Sequence, residues 1–448
     1  MMAEDGTYRR LRERIDSRTA RIGVIGLGYV GLPLAHAFHH AGFGVIGVDT
    51  DPTKPEAFAA RRPYLAHLRS AFDELAGSPR FEATTDHGRL AECDAILVTV
   101  PTPLDEHHVP DLSYVVRAAE QIGSVMRNAP SKVVVLESTT YPGTTRREFL
   151  DPIARATPGL RCGVDYFVAF SPEREDPGRF THTTAQIPKL VGGLDERSAD
   201  LAAALYGGAF ATVVRTDSAE IAESAKLLEN IFRAVNIALV NELKIVLDSM
   251  GIDIWPVINA AASKPFGFMP FYPGPGLGGH CIPIDPFYLT YKAREFGQDS
   301  QLIELAGRIN TRMPQWVVER TARALSDRGR AIKGARLCVL GLAYKADVDD
   351  VRESPALVII EELLERGAAV DYSDPHVPAT HRMRRHDLKM SSVALTAESV
   401  ASYDAVLLVT GHAAFPYELV ADRARLVIDT RNRFAKYAAR MGDRLVRA

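Results

Sequence analysis

The sequence predicts an α/β protein with two doubly wound parallel sheets, joined by a long central helix and a helical middle domain. Short apolar runs alternate with amphipathic helical patterns in the first half of the chain and again in its last third. Between these regions lies a continuous helical pattern of about 33 residues. A chain of 448 residues has room for two or three domains.

The first sheet is predicted over residues 21–215, after an N-terminal extension of residues 1–20. Buried strands alternate with a helix, and the later strands run into turns rich in Pro, Ser and Thr. The predicted elements are strand 21–25, helix 29–41, and strands 43–48, 94–100 and 132–136. Apolar strands separated by helical patterns are typical of parallel βαβ units with helices on both faces, a Rossmann-like arrangement.

The long helix opens a helical middle domain predicted over residues 216–325. Apolar residues recur every three or four positions from Ile221 to Met250, the spacing of one face of a helix. A helix about 50 Å long can link two domains and pack against a second copy, so we expect a homodimer or a higher homo-oligomer. The simplest interpretation, a core helix, leaves Lys226 and Asn230 unexplained, because they are polar and one turn apart.

The second sheet is predicted over residues 326–448 and repeats the scheme of the first. Its predicted elements are strand 336–342, helix 354–366, and strands 369–373, 404–410 and 425–429. The first connection is longer here: 33 positions separate Gly341 from Asp374, against 23 between Gly26 and Asp49. The ten additional residues are close to residues 345–354.

Composition and charge exclude several classes of protein. Hydrophobic residues make up 46% and charged residues 24%, as in globular proteins, and a net charge of −3 offers no basic excess for nucleic acid. No run of eighteen apolar residues occurs, and the apolar run 22–35 follows a mixed polar segment, so we expect a cytoplasmic protein without a membrane span. The cysteines form no CxxC pair, so neither a disulfide framework nor a metal site is predicted; they are Cys93, Cys162, Cys281 and Cys338.

A glycine-rich motif after the first strand predicts a dinucleotide site. The motif reads Gly26, Leu27, Gly28, Tyr29, Val30 and Gly31. Its first glycine permits a tight turn, its second lets the backbone approach a pyrophosphate, and its third allows close helix packing. Asp49 at the end of the next strand can accept from ribose hydroxyls and would repel a 2′-phosphate, which predicts NAD rather than NADP.

Two further positions suggest chemistry. Glycines crowd the N-terminal side of Cys281 and Asp285 follows it, so the thiol could meet a ligand and a neighbouring base. From the residues alone, a nucleophile and an inert core cysteine are equally good interpretations of Cys281. Glu173 lies in a charged turn, and most such turns are exposed loops, although a partly buried carboxylate there could serve as a general base.

Seven motifs follow one another along the chain, namely GLGYVGLPLA, VPTP, STTYPGTT, FSPERE, AKLLEN, GPGLGGHCIPIDP and GLAYKADVDDVRESPA. Together and in this order they resemble the motifs of the UDP-glucose/GDP-mannose dehydrogenase family. The resemblance extends from about Arg21 to Asn432. GHCIPIDPFYL and the SPERE turn are most similar to the branch that acts on UDP-N-acetylhexosamines, particularly UDP-N-acetylglucosamine.

The resemblance implies a four-electron oxidation of a sugar 6-hydroxyl to a carboxylate, with two NAD⁺ and one water. Cys281 would hold the aldehyde as a thiohemiacetal, which a second hydride transfer converts to a thioester that water hydrolyses. Lys226 and Asn230 would stabilise oxyanions. The remaining implied catalytic residues are Asp285, which positions water or takes a proton, and Thr139 and Glu173, near the reacting carbon.

The resemblance also implies binding residues for the cofactor and for the nucleotide-sugar. The cofactor set is Gly26, Gly28, Tyr29, Val30, Gly31, Asp49, Lys54, Thr102, Thr139 and Arg352. The nucleotide-sugar set is Glu173, Arg174, Lys226, Asn230, Gly278 and Lys345. Two departures stand out: Pro177 replaces a second glutamate of relatives that act on UDP-glucose, and residues 60–64 replace a glycine-containing turn.

Several alternatives stay open. UDP-glucose 6-dehydrogenase and UDP-N-acetylmannosamine dehydrogenase would share the motifs. A two-electron hydroxyacid dehydrogenase needs neither a cysteine nor a second nucleotide domain, and a nucleotide sensor has no reason to keep Cys281, Lys226 and Asn230 together. We therefore predict an NAD-dependent UDP-sugar 6-dehydrogenase, favouring UDP-N-acetylglucosamine, whose product the resemblance places in surface polysaccharide synthesis.

Overall fold

The computed structural model describes residues 6–65, 68–105, 109–174, 184–279, 282–383 and 385–448. These residues divide into two compact units. The first comprises Met1–Glu229 and Phe287–Gln298, and the second comprises Asn230–Pro286 and Asp299–Ala448.

Helices and strands alternate along both units. The strands are β1 (Arg21–Ile25), β2 (Gly44–Val48), β3 (Phe81–Thr84), β4 (Ala95–Val98), β5 (Val133–Leu136), β6 (Phe167–Phe170), β7 (Lys189–Gly193), β8 (Val213–Thr216), β9 (Arg336–Leu340), β10 (Ala369–Ser373), β11 (Ala405–Leu408), β12 (Val427–Asp429) and β13 (Leu445–Arg447). The helices are α1 (Gly6–Asp16), α2 (Gly31–His40), α3 (Thr53–Ala59), α4 (Arg69–Ala76), α5 (Ser113–Met126), α6 (Leu150–Ala156), α7 (Glu196–Gly207), α8 (Ala219–Ser249), α9 (Ile254–Ala262), α10 (Asp285–Glu295), α11 (Gln301–Ser326), α12 (Pro355–Glu365), α13 (Ala397–Ser402), α14 (Tyr417–Arg423) and α15 (Ala438–Met441).

The first unit is built on an eight-stranded sheet with the order β3-β2-β1-β4-β5-β6-β7-β8. Neighbouring strands are parallel except β6 and β7, which are antiparallel. The first six strands have the order of a dinucleotide-binding fold. Val24, Leu97 and Phe167 of the sheet are buried with Phe38 of α2 and Leu205 of α7 in one core cluster.

The predicted N-terminal extension contributes to this core. Leu11 and Ile15 of α1 are buried in the same cluster. On the polar side of α1, Arg12 Nη1 forms an ion pair with Asp200 of α7 at 2.8 Å. Helix α1 is therefore packed on the first unit through both apolar and charged side chains.

The second unit has a five-stranded, fully parallel sheet with the order β10-β9-β11-β12-β13. Its core includes Val339, Leu407 and Ile428 of the sheet, packed with Leu357 and Ile360 of α12. The predicted α/β class with two doubly wound sheets is confirmed. Within the described part of the chain, helices and no strands lie between β8 and β9, where a helical middle domain is predicted.

Several strands are shorter than predicted: β4, β9, β11 and β12 each lack two or three of the predicted residues. Strands β1 and β10 have the predicted bounds, whereas α2 begins at Gly31 rather than at residue 29. The additional residues of the second sheet lie in the loop between β9 and α12, as predicted. No helix among the described residues is both long enough and apolar enough to cross a membrane.

The apolar stripe of α8 is exposed rather than buried in the single chain. Six of its side chains are exposed, namely Ile221, Leu228, Phe232, Leu239, Leu243 and Val246, and so is Met250, directly after the helix. The buried positions of the same helix include polar side chains, namely Glu223, Lys226, Asn230, Asn241 and Lys244. The interpretation of α8 as an ordinary core helix is therefore wrong for most of the stripe.

Candidate functional site

The turn after β1 exposes backbone N–H groups at the start of α2. Val30 precedes this helix and forms no capping side-chain hydrogen bond. A Cβ on Gly31 would lie 1.7 Å from the carbonyl oxygen of Gly26, so only glycine fits there. A Cβ on Gly28 would meet no described atom within 4 Å, which leaves the approach to the backbone open. This geometry fits a bound pyrophosphate.

Asp49 closes this site at the end of β2. Its Oδ2 accepts hydrogen bonds from the Leu27 N–H at 2.7 Å and from Lys54 Nζ at 2.6 Å, and its Oδ1 accepts from the Asp51 N–H at 3.0 Å. Because a carboxylate has about four lone pairs, Oδ1 retains one for a ribose hydroxyl. The Tyr64 hydroxyl donates to the Leu27 carbonyl at 2.6 Å and holds the turn from its other side. The structure thus brings together Asp49 and Lys54, both of which are predicted to contact the cofactor.

The corresponding aspartate of the second unit, Asp374, has no such capacity left. The residues that hydrogen-bond with its two oxygens are Leu342, Ala343, His376 and Val377 through their N–H groups, and His412 through Nε2. Five hydrogen bonds exceed the usual capacity of a carboxylate. The second unit therefore does not offer this aspartate to a ribose, although its turn at Gly341 has the same left-handed φ as that at Gly26.

Thr102 and Thr139 are brought together in the loops after β4 and β5. The Thr102 hydroxyl donates to the Thr139 carbonyl at 2.9 Å. The next residue, Thr140, is fully buried, and its hydroxyl has no hydrogen-bond partner among the described residues. Such a group is costly unless a ligand pairs with it. Thr140 is a candidate contact that the sequence analysis missed, although it lies in the STTYPGTT motif.

Buried Glu223 of α8 anchors the segment that follows Thr140. Its carboxylate accepts from the Gly143 N–H at 2.6 Å, the Thr145 N–H at 2.9 Å and the Thr145 hydroxyl at 2.6 Å. Burial nevertheless raises the pKa of Glu223 to about 7. Lys226, predicted to be catalytic, is buried about one turn further along the helix.

Glu173 follows β6 and contacts a buried lysine. Its Oε1 accepts from the Arg174 N–H at 2.7 Å, and its Oε2 lies 3.4 Å from Lys189 Nζ. Lys189 in turn lies 2.5 Å from Glu137. The Arg174 guanidinium is paired with Glu229 at 2.5 Å, so a nucleotide-sugar would compete with this carboxylate for it.

In the second unit, the structure brings Asn230 and Asp285 together. Asn230 Nδ2 donates to Asp285 Oδ2 at 2.6 Å, and the two residues are 4% and 1% exposed. Asp285 begins α10, four positions after Cys281 in the sequence. Cys281 and Pro177 lie outside the described residues. A buried amide–carboxylate pair is thus fixed close in sequence to the predicted nucleophile.

The glycine-rich segment before Cys281 packs against the loop after β9. A Cβ on Gly278 would lie 2.6 Å from Tyr344 Cβ, and Gly279, with φ +82°, donates its N–H to the Arg352 carbonyl at 3.0 Å. Lys345, next to Tyr344, is partly buried. The structure therefore places the loops that carry Gly278 and Lys345 in contact. The Arg352 side chain, predicted to reach the cofactor, is paired with Asp350 at 2.7 Å.

Arg431, after β12, is a second candidate that the sequence analysis missed. Its Nε donates to the Val409 carbonyl at 2.9 Å, and no carboxylate of the described residues forms an ion pair with its side chain. Burial lowers the pKa of Arg431 to about 10. A Cβ on Gly274 would lie 2.4 Å from Arg431 Nη1, so this glycine makes room for the guanidinium. A partly buried cation of this kind fits an anionic ligand, but a lone Arg after a strand carries no sequence signal.

The first unit is therefore a dinucleotide-binding domain. The second unit is also doubly wound, but the aspartate at the end of its second strand is not available to a ribose. Three family models match the chain in that order: the UDP-glucose/GDP-mannose dehydrogenase family NAD binding domain at residues 20–209, its central domain at 220–312, and its UDP binding domain at 338–436. The chain belongs to the UDP-glucose/GDP-mannose dehydrogenase family. It is an NAD-dependent UDP-sugar dehydrogenase.

Individual relatives have different sugar substrates in their names. The UDP-N-acetyl-D-glucosamine 6-dehydrogenase of Pseudomonas aeruginosa is 37% identical over 88% of this chain and 91% of its own. The solved UDP-D-ManNAc dehydrogenase of Pyrococcus horikoshii has a TM-score of 0.82 and 33% identity, covering 92% and 95% of the two chains. The solved UDP-glucose dehydrogenase of Pyrobaculum islandicum has a TM-score of 0.81 and 30% identity, covering 92% and 94%.

These comparisons confirm the predicted family, the enzyme class and the cofactor NAD. They also remove the grounds for a hydroxyacid dehydrogenase or a nucleotide sensor. The roles of individual side chains stay predictions, and so does the choice among UDP-sugars.

We expect Glu223→Gln to change how stability depends on pH. Because burial raises the pKa of Glu223 in the folded chain to about 7 from the ordinary 4.5 of a glutamate, its contribution to stability is present below pH 4.5 and is lost as pH rises through 7. The wild type should therefore lose up to roughly 3 kcal/mol across this window that Glu223→Gln does not lose. Urea unfolding at several pH values measures the difference.

Glu220→Gln, on the same helix, is the matched control. Burial alone would raise the pKa of Glu220, but hydrogen bonds, including that from Arg146, lower it. Its contribution is therefore lost at low pH, and the gap between this variant and the wild type should not grow between pH 5 and 8. A parallel pH dependence of Glu223→Gln and wild type would contradict the analysis of Glu223.

Proposed function

We propose that this enzyme oxidises the 6-hydroxyl of UDP-N-acetylglucosamine to a carboxylate in two steps, through a thiohemiacetal and a thioester on Cys281. The observation that carries this proposal is the buried hydrogen bond of 2.6 Å from Asn230 Nδ2 to Asp285 Oδ2. Asp285 lies four residues after Cys281 in the sequence. A carboxylate that an amide fixes so near in sequence to a thiol can serve as its base, a role that an inert core cysteine does not require.

The atoms and electrons balance as follows. NAD⁺, held by the turn after β1 and by Asp49, would supply the hydride acceptor for the oxidation of carbon 6 in each step. The Cys281 thiolate adds to the aldehyde carbon, the second oxidation converts the thiohemiacetal to a thioester, and water releases the carboxylate and regenerates the thiol. One alcohol, one water and two NAD⁺ thus become one carboxylate, two NADH and three protons.

The charges of the site suit these steps. Lys226 supplies a buried ammonium group for the oxyanions that form at carbon 6. Asn230 orients Asp285, which takes the proton of the attacking group. Glu173 orients the hydrolytic water, because its carboxylate is partly buried and Pro177 supplies no second carboxylate.

The second unit supplies a site for the UDP moiety. Arg431 offers a partly buried cation without a carboxylate partner in the described residues, and Lys345 lies in the loop that packs on Gly278. Gly274 and Gly278 leave no room for a Cβ, so the backbone of this segment is held close to both loops. A pyrophosphate between two cations is the ligand these side chains fit best.

The first test is stoichiometry with a cysteine pair. We expect two NADH per UDP-sugar consumed, measured by absorbance with product analysis. Cys281→Ser should abolish steady turnover while NAD affinity stays within about twofold, because the dinucleotide turn does not use the thiol. Cys162→Ser, a partly buried cysteine, is the control and should keep both the ratio and the rate. A ratio of one with free aldehyde, or full activity of Cys281→Ala, would refute the thioester route.

The second test is the sugar. An N-acetyl group adds an amide and a methyl at carbon 2, so a site shaped for it leaves polar groups unpaired when UDP-glucose binds. We expect kcat/KM for UDP-N-acetylglucosamine to exceed that for UDP-glucose at least about a hundredfold. The P. aeruginosa relative supports this choice by its name. Equal use of UDP-glucose would contradict the branch, and preference for UDP-N-acetylmannosamine would correct only the epimer.

We also propose that a second copy of this chain covers the exposed stripe of α8. The stripe contains six exposed apolar side chains along the 31 residues of α8, among them Leu228 at 66% exposure, and Met250, directly after the helix, is 64% exposed. Continuous exposed apolar patches of this kind mark interfaces. Light scattering should give at least a dimer, and Leu228→Glu with Leu239→Glu should give monomers. Glu120→Lys, at an exposed position of α5 outside the stripe, is the control for a change of charge and should leave the mass unchanged.

A further inference from the structure

We infer that Asn241 and Asn310 are positioning residues, which hold the segment of residues 274–279 in the place where it borders the proposed UDP site. This inference rests on the proposed function, because the segment packs against Arg431 and against the loop that carries Lys345. Its basis is a chain of two buried amide side chains, from α8 and α11, that ends on one backbone N–H of the segment.

The two asparagines are linked by direct hydrogen bonds. Asn241 of α8 is 0% exposed, and Asn310 of α11 is 3% exposed. Asn310 Nδ2 donates to the Ala234 carbonyl of α8 at 3.0 Å, and Asn241 Nδ2 donates to Asn310 Oδ1 at 2.9 Å. Asn241 Oδ1 accepts from the Gly274 N–H at 3.0 Å. A carbonyl of α8 is thus connected, through two side chains, to a backbone N–H outside the helices.

This chain of hydrogen bonds can run in one direction only. The Ala234 carbonyl accepts hydrogen bonds and donates none, so it must face the nitrogen of the Asn310 amide. Asn310 then turns its oxygen toward Asn241, which must donate with its own nitrogen and keeps its oxygen for Gly274. The acceptor that meets the Gly274 N–H is therefore fixed by two helices.

The segment that this acceptor holds is packed without spare room. A Cβ on Gly274 would lie 2.4 Å from Arg431 Nη1. A Cβ on Gly276 would lie 3.3 Å from Cδ of Pro314, which follows Asn310 by about one turn of α11. Helix α11 therefore meets the segment both directly and through Asn241. A shift of the Gly274 N–H changes how the segment lies against Arg431.

A purely structural role explains less of this arrangement. Apolar side chains can bury a helix, and α11 contributes Met313 and Val317 to the core of the second unit in this way. Leucine has nearly the shape of asparagine but neither its donor nor its acceptor. A Leu pair would fill the same space at little cost in stability. It would leave the Gly274 N–H without its acceptor, and the amide pair provides that acceptor.

The test compares the affinity for UDP with the affinity for NAD⁺, both measured by isothermal titration calorimetry on the full chain. Asn241→Leu removes the oxygen that holds Gly274, so the dissociation constant for UDP should rise about tenfold. The dissociation constant for NAD⁺ should stay within about twofold, because the dinucleotide turn lies in the first unit. Equal losses of both affinities would overturn the inference.

A double variant, Asn241→Leu with Asn310→Leu, separates positioning from stability. The single variant leaves Asn310 Oδ1 without its donor, whereas the double variant removes both amides and should regain much of the lost stability in urea unfolding. The affinity for UDP should nevertheless stay about tenfold low. If it returns together with stability, the pair is only structural and the inference is wrong. The double variant also decides the question if Asn241→Leu does not fold.

Two further variants complete the design. Thr321 of α11 is fully buried, and its hydroxyl donates to the Val317 carbonyl at 2.8 Å. Thr321→Val removes this hydrogen bond within the helix and should keep UDP affinity within about twofold of the wild type. A loss equal to that of Asn241→Leu would contradict the positioning role.

Arg431→Met distinguishes failure of the inference from failure of the proposed UDP site. Unchanged UDP affinity in Arg431→Met would refute the proposed site itself. Weaker UDP binding in Arg431→Met, without a loss in Asn241→Leu, would refute only the positioning role of the two asparagines.

Discussion

One hydrogen bond fixes the ligand-binding edge of each sheet: the aspartate at the end of the second strand accepts from the first N–H after the glycine turn. The distance is 2.7 Å from Leu27 to Asp49 in the first unit and 2.7 Å from Leu342 to Asp374 in the second. The two sheets share this hydrogen bond but differ in what they offer a ligand, because the two carboxylates have different numbers of lone pairs left. Asp49 keeps one for a ribose, whereas Asp374 uses all of its capacity within the protein.

The long helix α8 organises the loops through its buried polar face. Glu223 holds the segment of Thr145, Asn230 holds Asp285, and Asn241 accepts from the Gly274 N–H at 3.0 Å. An apolar face could bury as much surface, but it could not orient these backbone and carboxylate groups. The polar residues therefore occupy the buried face of the helix, and the apolar stripe lies on its exposed face.

The sequence predicts the elements and the dinucleotide turn well, because both depend on local spacing. The bounds of β1 and the position of Asp49 follow from alternation and from the turn itself. The buried face of α8 does not follow, since periodicity identifies a stripe without saying what covers it. Nor does the Lys189–Glu137 contact, because it joins residues 52 positions apart that carry no shared motif.

The buried charges of the first unit have an energetic meaning. Burial raises the pKa of Glu137 and of Glu223 to about 7, so both carboxylates oppose folding as they ionise. Apolar side chains of similar volume would often make such positions more stable. The charges nevertheless lie directly beside the segments that carry Thr140 and Glu173. Their location indicates that these carboxylates lower stability at neutral pH and at the same time orient the two segments. Apolar side chains at the same positions could not orient them.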